Sequence, residues 1–114
     1  AERTLLSDVP RALRARVLVV PHHGSRSSST PAFLAAVRPE LALLPVGYRN
    51  RFHFPNSGVM ARYRAAGVRV LDTAAEGAIT VRMAPGARDL HVSTRRRSVR
   101  RYWHGAHPLV CTRE

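Results

Sequence analysis

The sequence predicts an α/β fold, and three observations carry that prediction. Apolar segments with strand character alternate with segments of helical periodicity. Two of those strands are apolar: residues 16–21 contain the continuous run Val17–Val20, of the kind that is covered on both faces, and residues 41–46 form a second apolar strand. Capping signals stand where the helices between them should begin.

Residues 2–14 have Leu5, Leu6, Val9 and Leu13 at spacings of three and four, which places them on one helical face. Pro10 lies inside this stretch and should kink or split it, because proline lacks the N–H and clashes with the preceding turn. Val17, Leu18, Val19 and Val20 form the first strand. His-His-Gly-Ser-Arg-Ser-Ser-Ser-Thr at residues 22–30 is a polar loop, and the serines at 27–29 are expected to solvate it. Thr30 followed by Pro31 reads as an N-cap and first helical position, with Phe33, Leu34 and Val37 as the apolar face. Arg38-Pro39 ends that helix.

A second strand at 41–46 leads into a loop, residues 47–55, rich in Tyr, Arg, Asn, Phe and His. Asn56 or Ser57 caps a third helix with Val59, Met60 and Tyr63 inward and Gly67 as its stop. Val68, Val70 and Leu71 form a short strand, and residues 78–83 another after a turn at Glu76-Gly77. The expected division is a folded part at 1–83 and a poorly packed basic tail at 84–114, with room for one short strand at 90–93.

The chain has 114 residues and a formal charge of +12, from 19 basic residues, all arginine, against 7 acidic ones. That balance favours polyanionic partners such as DNA, RNA or an anionic membrane face. The single cysteine, Cys111, excludes an internal disulfide and a multi-cysteine zinc site. No apolar run reaches the ~20 residues that span a bilayer. No signal peptide opens the chain, and the first residue is Ala1 rather than Met, from which a piece of a longer protein is expected.

Two segments can carry chemistry. His22 and His23 follow the first strand at its C-terminal end, where α/β folds place their ligands, and neutral imidazole is a common metal ligand. Two histidines do not complete a zinc site, which takes three or four protein ligands. The other segment follows the second strand and should open on the same sheet edge. There Arg49, Asn50 and Arg51, with Ser25 from the first loop, are candidates to hold a phosphate, and His53 to ligate metal or shuttle a proton. Arg95, Arg96, Arg97, Arg100 and Arg101, beside Tyr102 and Trp103, form a candidate nucleic-acid tail.

Taken together, these motifs resemble a known family. Val-Pro-His-His-Gly-Ser-Arg-Ser-Ser-Ser at 20–29 and Pro-Ala-Phe-Leu-Ala-Ala-Val-Arg-Pro at 31–39 are similar to the C-terminal metallo-β-lactamase-like domain of the ComEC competence family. Asn-Arg-Phe-His-Phe-Pro at 50–55 continues the likeness, as do residues 61–68, Asp72-Thr73, Gly77-Ala78-Ile79 and Arg100-Arg101-Tyr102-Trp103.

The resemblance implies the C-terminal half of an αββα sandwich, incomplete, with a basic C-terminal tail. It implies a parent protein in the bacterial inner membrane that passes single-stranded DNA inward during natural transformation. This domain would lie on the extracytoplasmic side as a metal-dependent nuclease. Two metal ions, zinc or manganese, would be held by a His-x-His-x-Asp-His motif, a later His, a bridging Asp and a last His. Of these only the last His has a match here, at His22 or His23, with His23 favoured by the fold's pattern. His53 stands one position from the histidine of the family's Gly-His-Pro loop.

The implied partners are DNA, the missing N-terminal half of the domain and the transmembrane channel region, with no small-molecule cofactor. The piece alone is expected to be inactive and to hold no metal stably. The competing readings are a basic nucleic-acid-binding module, a truncated product without function, and another hydrolase of the same fold.

Overall fold

The computed structural model describes residues 1–98, which fall into two compact units divided after Ala74. Tyr102, Trp103, Arg100 and Arg101 of the expected nucleic-acid tail lie outside the described residues.

In the first unit, β1 (Val17–Val19), β2 (Leu41–Leu44) and β3 (Arg69–Asp72) form a parallel sheet in sequential order. The register pairs Val17 with Leu41, Val19 with Leu43, and Leu43 with Leu71. The crossovers carry α2 (Pro31–Val37) and α3 (Ser57–Ala65), while α1 (Glu2–Asp8) precedes the sheet and contacts α2.

The helix boundaries follow from local chemistry. Pro10 ends α1 and opens a separate 3-10 turn, Pro10–Ala12, so the expected break at this proline is observed. Thr30 caps α2 by accepting from the Phe33 N–H at 3.3 Å, and Arg38 in the left-handed region closes it. Asn56 caps α3 through the Gly58 N–H.

One face of the sheet is the core. Val20, Ala42 and Leu44 meet Leu34 of α2 and Val59 and Tyr63 of α3, with Leu18 and Val70 packed at the margin. Tyr63 is fully buried and its hydroxyl lies 2.8 Å from the equally buried Ser29 Oγ. The other face is apolar too, but less covered. By strand alternation Val17, Val19, Leu41, Leu43 and Leu71 share it. Leu41 and Leu71 are buried, whereas Val19 is 61% exposed. The expectation that β1 is covered on both faces is therefore corrected by the exposure of Val19; among the described residues β1 is an edge strand, bonded to β2.

A second correction concerns the serines after the histidine loop. Only Ser27 is exposed; Ser28 and Ser29 are buried. Ser28 Oγ donates to the Ser25 carbonyl at 2.8 Å, and the Glu2 carboxylate accepts from the backbone N–H groups of Ser29 at 2.6 Å and Thr30 at 3.1 Å. A carboxylate from α1 thus satisfies donors that a solvated loop would leave to water. At the opposite end of the sheet, Arg16 and Glu40 form an ion pair at 2.8 Å, and that hydrogen bond holds the Glu40 carboxyl below the usual carboxylate range.

The short α4 (Thr73–Glu76) crosses the boundary between the units. In the second unit β4 (Ile79–Arg82) pairs antiparallel with β5 (His91–Thr94), and α5 (Arg95–Ser98) follows. The expected boundary at residues 83/84 lies inside this hairpin. The strand anticipated at 90–93 is β5, and the described part of the tail is folded rather than loosely packed. Glu76 organises it by accepting from Thr94 Oγ1 and from two nitrogens of Arg97. Among the described residues no helix is long and apolar enough to cross a membrane.

Candidate functional site: an imidazole pair at the C-terminal sheet edge

Parallel strands deliver the loops that follow them to one edge, so the turn after β1 and the loop after β2 meet there. They line a cleft of about 630 Å³ formed by His22, His23, Pro45, Val46, Gly47, Asn50, Phe52 and Phe54.

The turn after β1 is unusual in its backbone. His22, His23 and Gly24 are all left-handed, with φ of 49°, 53° and 76°. Two consecutive non-glycine residues in this region cost energy that the surroundings must offset, and such residues cluster at functional sites. The surroundings are visible. Gly24 packs so closely that a Cβ would come within 2.9 Å of Pro55 Cβ and 3.3 Å of Leu44 Cδ1. Its carbonyl accepts from the Asn56 N–H at 2.9 Å, which ties the two loops together.

His23 Nδ1 lies 2.7 Å from the Pro45 carbonyl oxygen. A carbonyl can only accept, so Nδ1 carries the proton and the neutral ring keeps its lone pair at Nε2. A metal-ligating histidine is held in this way, its other ring N–H donated to a backbone carbonyl. The carbonyl is itself positioned. Thr73 Oγ1 accepts from the Val46 N–H at 3.0 Å and donates to the Val46 carbonyl at 2.8 Å. The His22 ring is fixed differently, with Nδ1 3.0 Å from the hydroxyl of Ser25, which is buried.

The loop after β2 is held by Asn50. Its Nδ2 donates to the Phe54 carbonyl at 2.7 Å and to the Gly47 carbonyl at 3.3 Å, while Oδ1 accepts from the Phe54 N–H at 2.8 Å. Its amide is thus engaged in shaping the loop. Arg49 and Arg51 are exposed and lie over the Tyr48 and Phe52 rings, at 5.4 and 4.9 Å. His53 is exposed, with φ of 53°, and does not line the cleft.

The structure therefore brings His22, His23, Ser25 and Asn50 together at one edge, with Arg49 and Arg51 on the same loop. In the second unit Arg95, Arg96 and Arg97 occupy α5, and Arg97 is bound to Glu76. Among the described residues no three His, Cys, Asp or Glu side chains gather in a metal-binding group. Three participants escaped the reading of the sequence: the Pro45 carbonyl, Thr73 behind it, and Phe52 with Phe54 as cleft walls. Backbone acceptors carry no residue signature, and Thr73 was signalled only by Asp72-Thr73 within the family likeness.

Fold and site together define a parallel α/β unit that presents an oriented imidazole at the C-terminal edge of its sheet. No family model matches the chain, and no solved structure does. Among curated proteins it is 39% identical over 85 residues to Competence protein ComA of Neisseria gonorrhoeae, covering 75% of this chain and 12% of that protein. It is 31% identical over 104 residues to the uncharacterized protein YcaI of Escherichia coli, covering 91% of this chain and 14% of that protein. It is 36% identical over 70 residues to ComE operon protein 3 of Bacillus subtilis, covering 61% of this chain and 9% of that protein. These similarities support membership of a competence-protein family. The chain spans 9 to 14% of the length of these three relatives.

Proposed function

We propose that this chain is the C-terminal part of a metallo-β-lactamase-like domain that hydrolyses incoming DNA as part of a longer competence protein. In that protein the domain would lie on the extracytoplasmic side of the inner membrane. The observation that carries the proposal is the His23–Pro45 hydrogen bond, which leaves Nε2 as the ring's lone-pair nitrogen. Its position at the C-terminal sheet edge suits the last metal ligand of that fold. The apolar second face of the sheet, with Val19 61% exposed, suits a sandwich in which that face meets a second sheet.

The residues present fit one ligand position, held by His23, with His22 beside it. The other ligands are expected from sequence outside this chain. When bound, a pair of zinc or manganese ions supplies a hydroxide nucleophile and charge neutralisation for a phosphodiester. This chain's own residues orient and hold. Pro45 fixes the His23 tautomer, Ser25 fixes the His22 ring, and Asn50 shapes the loop that carries Arg49 and Arg51 toward phosphate. His53, exposed on that loop, is assigned the role of proton carrier in this proposal.

The test uses a longer natural chain that joins these residues to an upstream segment carrying His-x-His-x-Asp-His. It should cleave DNA with manganese or zinc and lose that activity on His23→Ala, while the 114-residue chain alone should not cleave. Cleavage by the short chain, or an unaffected His23→Ala variant of the long one, would overturn the proposal.

A second reading, nucleic-acid binding through arginine, is favoured by the +12 formal charge and by the three consecutive arginines of α5. It requires no metal, and a dependence of binding on salt tests it.

A further inference from the structure

The cleft walls have a chemistry that metal ligation does not use. Phe52 and Phe54 are stacked, their ring centroids 5.8 Å apart and their planes at 22°. His22 continues the row, its centroid 6.4 Å from that of Phe54. Phe52 is 60% exposed and Tyr48 61%, although both are large rings on a loop that the Asn50 amide holds in shape. Burial does not account for this loop's aromatic content. Each exposed ring carries a guanidinium: Arg49 lies over Tyr48 and Arg51 over Phe52.

Aromatic faces beside exposed cations are what a single nucleic-acid strand requires. Bases stack on the rings and the neighbouring arginines neutralise the phosphates. The relative strengths favour exchange, because an exposed cation–π contact is weaker than base stacking on an aromatic ring. An arriving base therefore displaces the guanidinium from Phe52 and frees it for the adjoining phosphate. A base paired in the interior of a duplex offers no face to such a platform, since both of its faces are already stacked.

We infer that Phe52 and Phe54, flanked by Arg49 and Arg51, form a stacking platform that takes an unpaired base of single-stranded DNA at the mouth of the histidine cleft. The inference rests on the reading of DNA as substrate and makes that site selective for unpaired strands. Phe52 and Phe54 take no part in holding metal; they position the strand beside the imidazoles.

The test is binding, read without hydrolysis, so that its failure is separable from failure of the nuclease reading. Labelled oligothymidylate and a blunt duplex of equal length are titrated by fluorescence anisotropy onto the 114-residue chain. Chelator is present, and salt is raised to suppress contacts made by arginine alone. Phe52→Leu should weaken single-strand binding about tenfold and leave duplex binding unchanged. Phe52→Trp should restore single-strand affinity, with indole fluorescence quenched by the oligonucleotide beyond any quenching of Trp103 in the parent chain. Equal single-strand affinity for the parent and Phe52→Leu would overturn the inference, as would equal losses on single strand and duplex. Loss of nuclease activity in a longer chain, with these binding differences intact, would leave the platform standing and refute the hydrolytic reading alone.

Discussion

His23 and Pro45 are linked by a 2.7 Å hydrogen bond from a ring nitrogen to a backbone carbonyl, and that contact decides which nitrogen of the neutral His23 ring keeps its lone pair. The tautomer is fixed by elementary chemistry, since the carbonyl cannot donate. Long-range nitrogen NMR on the neutral ring should show His23 protonated at Nδ1. A ring protonated at Nε2 would mean that the hydrogen bond is absent in solution.

Gly24 should not tolerate a side chain. Its φ of 76° disfavours any other residue, and a Cβ would meet Pro55 at 2.9 Å. Gly24→Ala is expected to cost about 1–3 kcal/mol by urea unfolding. Gly47 supplies the control: it has no such φ, and a Cβ at that position would meet nothing within 4 Å. Gly47→Ala should be close to neutral.

Tyr63 gives the fold an alkaline limit. Burial raises its phenol above the ordinary value, the Ser29 hydrogen bond opposes this, and the Glu2 charge adds to it. Because the folded value is the higher one, the stabilisation is complete below the unfolded tyrosine value of about 10 and is lost as pH rises through the folded value. Tyr63→Phe should flatten that alkaline decline. At neutral pH it should cost about 1–3 kcal/mol, because the fully buried Ser29 hydroxyl loses its partner. Unfolding midpoints against pH for both proteins provide the measurement.

The α5 arginines should not act alike. Arg95 and Arg97 are both exposed, but Arg97 is held by Glu76 through Nε at 3.0 Å and Nη2 at 2.8 Å, whereas among the described residues no carboxylate pairs with Arg95. Arg95→Ser should reduce the slope of log affinity for single-stranded DNA against log salt by about 0.7, one phosphate contact. Arg97→Ser should leave the slope unchanged and lower the stability of the second unit. Salt titrations with both variants separate these outcomes.

The elements of the first unit were legible because periodicity, capping and proline are local signals. Thr30-Pro31, Asn56 and Pro10 act through their own neighbours, and each does in the structure what its chemistry requires. What was not legible depends on contacts distant in sequence. The burial of Ser29 follows from Glu2 and Tyr63, 27 and 34 residues away. The exposure of Val19 follows from its place on the less covered face of the sheet, which an apolar run alone does not reveal. At the site, His22 and His23 stood out as residue types, but the choice between their nitrogens required the Pro45 carbonyl. The pairing of Arg97 likewise depended on Glu76, 21 residues earlier.

The central claim, that His23 is a metal ligand in a longer domain, is tested most directly by metal content. The longer chain with its upstream ligand motif should be purified as the parent, His22→Ala and His23→Ala proteins, and bound zinc and manganese measured by elemental analysis. His23→Ala is expected to lose one equivalent of metal, and His22→Ala to retain the parent content. Full metal content in His23→Ala would contradict the account.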